Sequence, residues 1–342
     1  MSVSPSYPWA RSVIARLERW GTVRTGLLLA ALVAAPTLFA GFFVDDYVHL
    51  LSLQGEMPGS TPLDLFRFAS GDVQELEQIM GRVPYPWFTF PDIHLHFFRP
   101  LSSATMYLDY LLFHPRAIWF HLHSILWYLA FVLCAAWLYR RLFPAPLALL
   151  CIVLFTLDDG HAIPAGWWSN RNALVAGAPA LLALYAHLRW REAGRLAWLP
   201  LSLLGLVLGL LGGETALGIC GYIAAYECCG RRGGDALSLE TRRAHRVYEG
   251  WQRAVALMPA LGVAMVFIVV YKWNGFGVYG SGIYLDPVAE FPQFAAHAPG
   301  RFLLLLGAQF LSLPSELPVV ASAFQGPLVV GGVLTLALVV WL

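Results

Sequence analysis

Long apolar runs recur along this chain and limit what it can fold into. Of its 342 residues 58% are hydrophobic and 13% are charged, about half the charged share of a soluble domain. A transmembrane helix needs about 20 mostly apolar residues. These runs predict an all-α polytopic membrane protein with about nine spans. The nine runs lie near 25–44, 117–139, 146–158, 172–188, 196–212, 215–229, 254–271, 301–318 and 325–342.

The N-terminal run has two interpretations. Four arginines precede the apolar segment 27–44, as in a secretory signal peptide. The segment is longer than the usual apolar core of roughly 7–15 residues, so we expect an uncleaved first span after a cytoplasmic segment 1–24. The transmembrane domain then covers 25–342. The chain ends inside the apolar run 327–342, so a domain truncated at its C-terminus stays open.

The distribution of Lys and Arg predicts the orientation of the spans. With the N-terminus inside, fifteen of the 22 cationic residues fall in inner segments and seven in outer ones. Two long extracytoplasmic loops follow from this topology, 45–116 with interfacial helices and 272–300. The net charge of +1 gives no basic surface for nucleic acid. The five cysteines match no metal-ligand spacing.

Carboxylates lie where the predicted spans meet the outer surface. Asp45 and Asp46 follow the first run directly, and Glu214 lies in a tight turn after Gly212 and Gly213. A carboxylate at such a boundary is hydrated, binds a cation or acts as a general base. The simpler interpretations are a polar end to the span and a turn carboxylate. The two glycines allow a close approach of other backbone or of a ligand.

Other polar residues accompany these carboxylates on the outer side. Arg99 directly precedes Pro100 at the head of the next segment, and arginine pairs with carboxylate or phosphate. Arg99 and the further candidates given at the end of this paragraph also have simpler interpretations, as interfacial anchors, hydrogen-bonding histidines or snorkelling cations. A metal site built on the histidines and the Asp45-Asp46 pair lacks a recognisable ligand spacing. The further candidates are His121, His123, His161, Arg171, Lys272, Tyr284 and Arg301.

The order of these motifs resembles that of the GT-C glycosyltransferases, closest to the protein O-mannosyltransferase and tetratricopeptide-linked mannosyltransferase branch. In that family an acidic pair follows the first span, as in 43–46, and an Arg-Pro-Leu segment follows, as in 99–101. A downstream aspartate matches Asp109. The later motifs match His121, His123, His161, the segment 168–171 and Glu214, where only the glutamate of a Ser-Lys-Glu motif is present.

The resemblance implies sugar transfer from a polyprenyl-phosphate donor to a protein, lipid or polysaccharide acceptor outside the membrane. It makes Asp45 or Asp46 the catalytic base. Glu214 and the other aspartate would then orient the acceptor or bind a cation. The expected location is a bacterial inner membrane. Some family members use a divalent metal, so the binding of Mg or Mn by Asp45 and Asp46 stays open. Two alternative functions also stay open: an inactive scaffold with a GT-C-like fold, and a membrane transporter. The implied donor-phosphate and substrate residues are Arg99, His161, Arg171, Lys272, Tyr284 and Arg301.

Overall fold

A computed structural model describes residues 21–80, 89–229, 239–280, 284–287, 290–311 and 321–341. These residues are mostly helical, as the apolar runs predict. The helices are α1 Thr22–Ala34, α2 Asp45–Leu53, α3 Val73–Ile79, α4 Pro100–Phe113, α5 Ala117–Leu142, α6 Ala145–Leu157, α7 Ala162–Gly166, α8 Asn172–Ala193, α9 Trp198–Gly212, α10 Gly218–Cys229, α11 Leu239–Trp273, α12 Phe291–Leu311 and α13 Gln325–Trp341. Short 3₁₀ turns cover Ala35–Phe39, Asp159–His161, Trp168–Arg171, Glu214–Leu217 and Ser322–Phe324. The strands are β1 Arg67–Ser70, β2 His94–His96 and β3 Gly277–Tyr279, which form a sheet in the order β1-β2-β3.

The expectation of an α-helical membrane protein is confirmed. Among the described residues, five helical segments are long and apolar enough to cross a membrane, and a sixth joins them if the pair bent by 53° after Leu157 is one span. The five are Thr22–Phe39, Ala117–Leu142, Trp168–Ala193, Gly250–Trp273 and Ser322–Trp341.

The count of nine spans stays a prediction. α9 has 15 residues and α10 has 12, fewer than the roughly 20 of a full span. The eighth expected span, 301–318, continues past the described residues at position 311.

The chain divides into two compact units. The first comprises Met1–Phe68, Phe97–Leu157 and His161–Phe276, and it contains the carboxylates singled out above. The second comprises Ala69–His96, Asp158–Gly160 and Gly277–Leu342.

Glycines bring two helices of the first unit into backbone contact. Gly205, Gly209 and Gly212 lie along one side of α9, against α8. A Cβ on Gly212 would lie 2.7 Å from the backbone nitrogen of Ala176 and 2.8 Å from the carbonyl of Val175. The expectation that Gly212 allows a close approach of backbone is thereby confirmed. This packing fixes where α9 ends and therefore where Glu214 lies.

A single methyl group at Gly212 tests this packing. We expect Gly212→Ala to cost about 1–3 kcal/mol of stability, because the clash is with backbone that no rotamer change relieves. The control is Gly221→Ala, since a Cβ on Gly221 meets nothing within 4 Å. Melting temperatures of the purified proteins in detergent measure both effects. Equal melting temperatures for the two variants would contradict the packing described here.

A buried aromatic cluster lies beside the polar residues of the first unit. Its buried members come from α2, the segment before β1, α4, α5 and the 3₁₀ turn before α8. The cluster joins these elements into one support. Its members are Leu50, Leu65, Phe66, Met106, Phe120 and Trp168.

The second unit has a helical hairpin and a strand pair. α12 and α13 touch backbone to backbone, because a Cβ on Gly307 would clash with the carbonyl of Leu328. β2 pairs antiparallel with β3, with Leu95 opposite Val278. The strands show that the segments 45–116 and 272–300 contain extended as well as helical structure.

Candidate functional site

The acidic pair begins in a strained turn. Val44 has φ 50° and ψ −119°, and the N–H of Asp46 donates to the carbonyl oxygen of Phe43 at 3.1 Å. These values match the first central position of a type II′ turn, where glycine is the usual residue. A β-branched residue at positive φ costs on the order of 1–3 kcal/mol and persists only where surrounding contacts hold it. The turn therefore requires stabilisation from neighbouring groups, and it starts α2 at Asp45.

Asp46 supplies part of that stabilisation. Its carboxylate is fully buried and accepts three hydrogen bonds. Phe43 N–H donates to Oδ2 at 3.1 Å, and Ser169 donates to Oδ1 from its N–H at 2.8 Å and from its hydroxyl at 2.6 Å. Burial raises the pKa of Asp46, and these hydrogen bonds oppose that rise. Asp46 thus joins the turn to the start of α8 and is occupied as an acceptor.

Asp45 has a different environment. Its side chain is half-buried, and no described residue forms a hydrogen bond or ion pair with its carboxylate. Burial, and then the neighbouring charge of Asp46, raise the pKa of Asp45 above its ordinary value. The sequence leaves open which aspartate is the base. Of the two, Asp45 is the carboxylate whose oxygens stay available to take a proton.

Arg99 and Glu214 form an ion pair across 115 positions of the chain. Arg99 Nε donates to Glu214 Oε2 at 2.8 Å, and its guanidinium lies 4.4 Å from the ring centroid of Phe97 and 4.9 Å from that of Phe66. Glu214 Oε1 is buried and has no hydrogen-bond partner among the described residues. The pair is therefore fixed on one side and keeps an unused acceptor on the other.

Asn172 connects this ion pair to Asp46. With its amide oxygen toward Arg99, Asn172 accepts from Arg99 Nη1 at 3.2 Å and donates to the carbonyl oxygen of Ser169 at 3.1 Å. Ser169 in turn holds Asp46. A continuous hydrogen-bonded chain thus runs from Glu214 through Arg99, Asn172 and Ser169 to Asp46. The structure brings together the acidic pair, Arg99 and Glu214, which the sequence could group only by topology.

Arg171 lies in a second polar cluster. Its guanidinium is 1% exposed and pairs with the fully buried Asp109 at 2.5 Å. Asp109 also accepts from Trp168 Nε1 at 3.1 Å and contacts His123 Nδ1 at 2.5 Å. The donor-phosphate role of Arg171 stays a prediction, and its observed partner is a carboxylate of this chain.

Three further histidines of the first unit are packed into the protein. His49 Nδ1 donates to the carbonyl oxygen of Leu65 at 3.0 Å, and burial lowers its pKa to about 3, so this ring is neutral. His121 is fully buried and contacts the carbonyl oxygen of Gly41 at 3.4 Å. His161 packs among the rings of Tyr128, Phe131 and Phe155. Its substrate-binding role stays a prediction.

The other residues of the predicted donor site lie elsewhere on the chain. Lys272 is exposed in the last turn of α11. Tyr284 and Arg301 are exposed residues of the second unit, and their roles stay predictions. Within the described ranges, no three His, Cys, Asp or Glu side chains cluster as metal ligands. Metal binding at Asp45 and Asp46 is therefore an untested prediction.

Sequence reasoning missed three contributors to this site. The sequence alone gave no individual role to Ser169, Asn172 or Val44. The signal available was a run of hydrogen-bonding residues directly before an apolar span. No family model, curated protein or solved structure matches this chain. What the site does is therefore argued from its own chemistry.

Proposed function

We propose that this protein is an integral-membrane glycosyltransferase that moves a sugar from a polyprenyl-phosphate donor to a hydroxyl acceptor, with Asp45 as the general base. The observation that carries the proposal is the hydrogen-bonded chain from Glu214 to Asp46. It fixes the two ends of a polar site and leaves Asp45 unbonded. An available carboxylate beside a rigid polar scaffold is the arrangement that base catalysis requires.

The proposed reaction is a displacement at the anomeric carbon of the donor sugar. Asp45 takes the proton of the acceptor hydroxyl while the acceptor oxygen bonds to the anomeric carbon. The bond from that carbon to the phosphate oxygen breaks, and the lipid phosphate leaves with the electron pair. The raised pKa of Asp45 makes it a stronger base than an exposed aspartate.

Arg99 is the residue that we assign to the leaving phosphate. Its Nε is bonded to Glu214 and its Nη1 to Asn172, whereas its Nη2 has no partner in the described part of the chain. A guanidinium held in place needs no reorganisation when charge develops on the phosphate. The pair Arg99 and Glu214 therefore supports a substrate with an anionic leaving group beside a hydroxyl-bearing sugar or acceptor.

The position of the acidic pair, Asp45 and Asp46, close to an apolar helix supports a lipid-linked donor. Asp45 follows an 18-residue apolar segment, Thr22–Phe39, by only a few residues. Asp45 is therefore expected near the depth of lipid headgroups, where the phosphate of a polyprenyl phosphate lies. A water-soluble sugar nucleotide would not require a carboxylate at this depth.

The test is a transfer assay with the purified protein in liposomes. Radiolabelled polyprenyl-phosphate hexoses are supplied one at a time, and label is followed into water-soluble or acceptor-linked product. We expect wild-type protein to release label from at least one donor and the double variant Asp45→Ala, Asp46→Ala to release none. Full activity in the double variant would refute the mechanism. If neither protein acts on any donor, while the double variant still supports growth of a deletion strain, the scaffold interpretation replaces this one.

A further inference from the structure

A groove lies between the ends of two spans of the first unit, away from the carboxylates discussed above. It has a volume of about 400 Å³ and is lined by residues of α8 and α11. Its walls combine indole rings, a guanidinium, an amide and two aliphatic side chains. The lining residues are Trp190, Arg191, Trp251, Gln252, Val255 and Ala256.

Arg191 is held rigidly at one wall of this groove. Its Nε donates to Glu227 Oε1 at 2.7 Å and its Nη2 to Glu227 Oε2 at 3.2 Å. Glu227 is buried and also bonds His187 Nε2 at 2.9 Å. The guanidinium lies 5.8 Å from the ring centroid of Trp190. Arg191 is thus oriented before any ligand arrives and keeps a quarter of its side chain exposed.

The charges around the groove favour an anion. The Nη1 of Arg253 donates to the backbone carbonyl oxygen of Glu227 at 2.9 Å, so a second guanidinium lies beside the residue whose carboxylate holds Arg191. Glu227 is buried behind them, whereas Gln252 and Trp251 are exposed. Donors therefore predominate at the open side of the groove: guanidinium, amide and indole N–H groups.

The depth of the groove indicates a lipid. Arg191 is in the last turn of the span Trp168–Ala193, and Trp251 is in the first turn of the span Gly250–Trp273. Span ends lie at the level of phospholipid headgroups, where tryptophan rings concentrate. Val255 and Ala256 continue the groove one turn further along α11, toward the apolar interior. A ligand that fits both parts has a phosphate next to a hydrocarbon chain.

We propose that this groove binds an anionic phospholipid, with its phosphodiester on Arg191 and Gln252 and the start of an acyl chain on Val255. The groove lies on the face that the charge bias predicts to be cytoplasmic. It is separated from Ser169 by the length of α8, whose 22 residues extend about 33 Å. The site is therefore independent of the transferase proposal.

Native mass spectrometry of the full chain in detergent tests the proposal. Phosphatidylglycerol is the anionic probe and phosphatidylcholine is the zwitterionic one. We expect wild-type protein to retain phosphatidylglycerol at least fivefold more than phosphatidylcholine. Gln252→Glu places a repelling charge at the open side of the groove and is expected to abolish that preference. Its control is Gly250→Glu, which adds the same charge two residues away, outside the groove, where a side chain has open space.

The outcomes separate the groove from general surface charge. Loss of the preference in both glutamate variants, or in neither, would overturn the proposal. A second variant, Trp251→Leu, removes one exposed wall without altering charge, and it should weaken retention several-fold. Size-exclusion profiles identify any variant that misfolds. If either Gln252→Glu or Trp251→Leu misfolds, lipid retention by the remaining one of these two variants tests the proposal. Inorganic phosphate at millimolar concentration should not displace the lipid, and displacement would indicate a free-anion site instead.

Discussion

Replacing Asp45 with asparagine is expected to reduce sugar transfer about 10²–10⁴-fold, the usual contribution of a general base, while the protein stays folded. Asparagine keeps the shape of the side chain but cannot take a proton. Asp45 forms no hydrogen bond or ion pair with any described residue, so its loss breaks no contact seen there. Initial rates in liposomes and melting temperatures in detergent, measured on the same preparation, test both parts.

Asp46→Asn is the matched control for this variant. The new amide would present an NH₂ group either to the N–H of Phe43 or to the donors of Ser169, so one hydrogen-bonded side of the site is lost. An unsatisfied buried donor costs about 1–3 kcal/mol. We therefore expect Asp46→Asn to lower the melting temperature, and Asp45→Asn to leave it unchanged or higher. A full transfer rate in Asp45→Asn would assign the base elsewhere.

The pH dependence follows from the raised pKa of Asp45. The base works only when ionised, so transfer should fall as the pH drops through a pKa that lies above the ordinary value for an aspartate. For a raised carboxyl pKa, the stabilising contribution is complete below the unfolded pKa and is lost as pH rises through the folded one. Any stability gained in Asp45→Asn should therefore appear at neutral pH and vanish in acid. Rate profiles and melting temperatures across the acid range measure both trends.

Arg171→Met is expected to cost about 3–5 kcal/mol, enough to prevent recovery of folded protein. The reason is that Asp109, which is fully buried, would lose the guanidinium that compensates its charge. The double variant Asp109→Asn, Arg171→Met removes both charges and should recover part of the stability. The yield of monodisperse protein and its melting temperature provide the measurement.

Arg116→Met is the control for this second prediction, because Arg116 is exposed at the head of α5. Losing an exposed cation should change the stability by less than about 1 kcal/mol. The comparison also tests the donor-phosphate role that the sequence assigned to Arg171. A stable Arg171→Met protein with a raised KM for the donor would support that role and contradict the structural one.

Much of the fold follows from apolar content, but pairwise contacts do not. The apolar run before Asp45 predicts a helix, and the glycines before Glu214 predict a close approach of backbone. Both can be predicted because hydropathy and backbone freedom are properties of single positions. The short helices α9 and α10 read as spans for the same reason, since hydropathy does not reveal how far a helix crosses a membrane.

The hidden parts of the site depend on which residues meet. An arginine that binds a phosphate and an arginine buried against Asp109 look alike in a sequence, so Arg171 could not be assigned from its type. Val44 looks like an ordinary last residue of an apolar run, and only its backbone angles reveal the turn. Asn172 has meaning only once Arg99 and Ser169 lie on either side of it.

The bonds from Ser169 to Asp46 have a consequence for how the protein is made. The ribosome synthesises the acidic pair well before Ser169, and the helices α5 and α6 emerge between them. Until α8 begins to form, Asp46 lacks two of its three donors and the turn at Val44 lacks its support. A nascent chain that ends before Ser169 therefore lacks the donors that hold Asp46 in place. The whole hydrogen-bonded chain can form only once Glu214 has also been synthesised, 168 positions after Asp46.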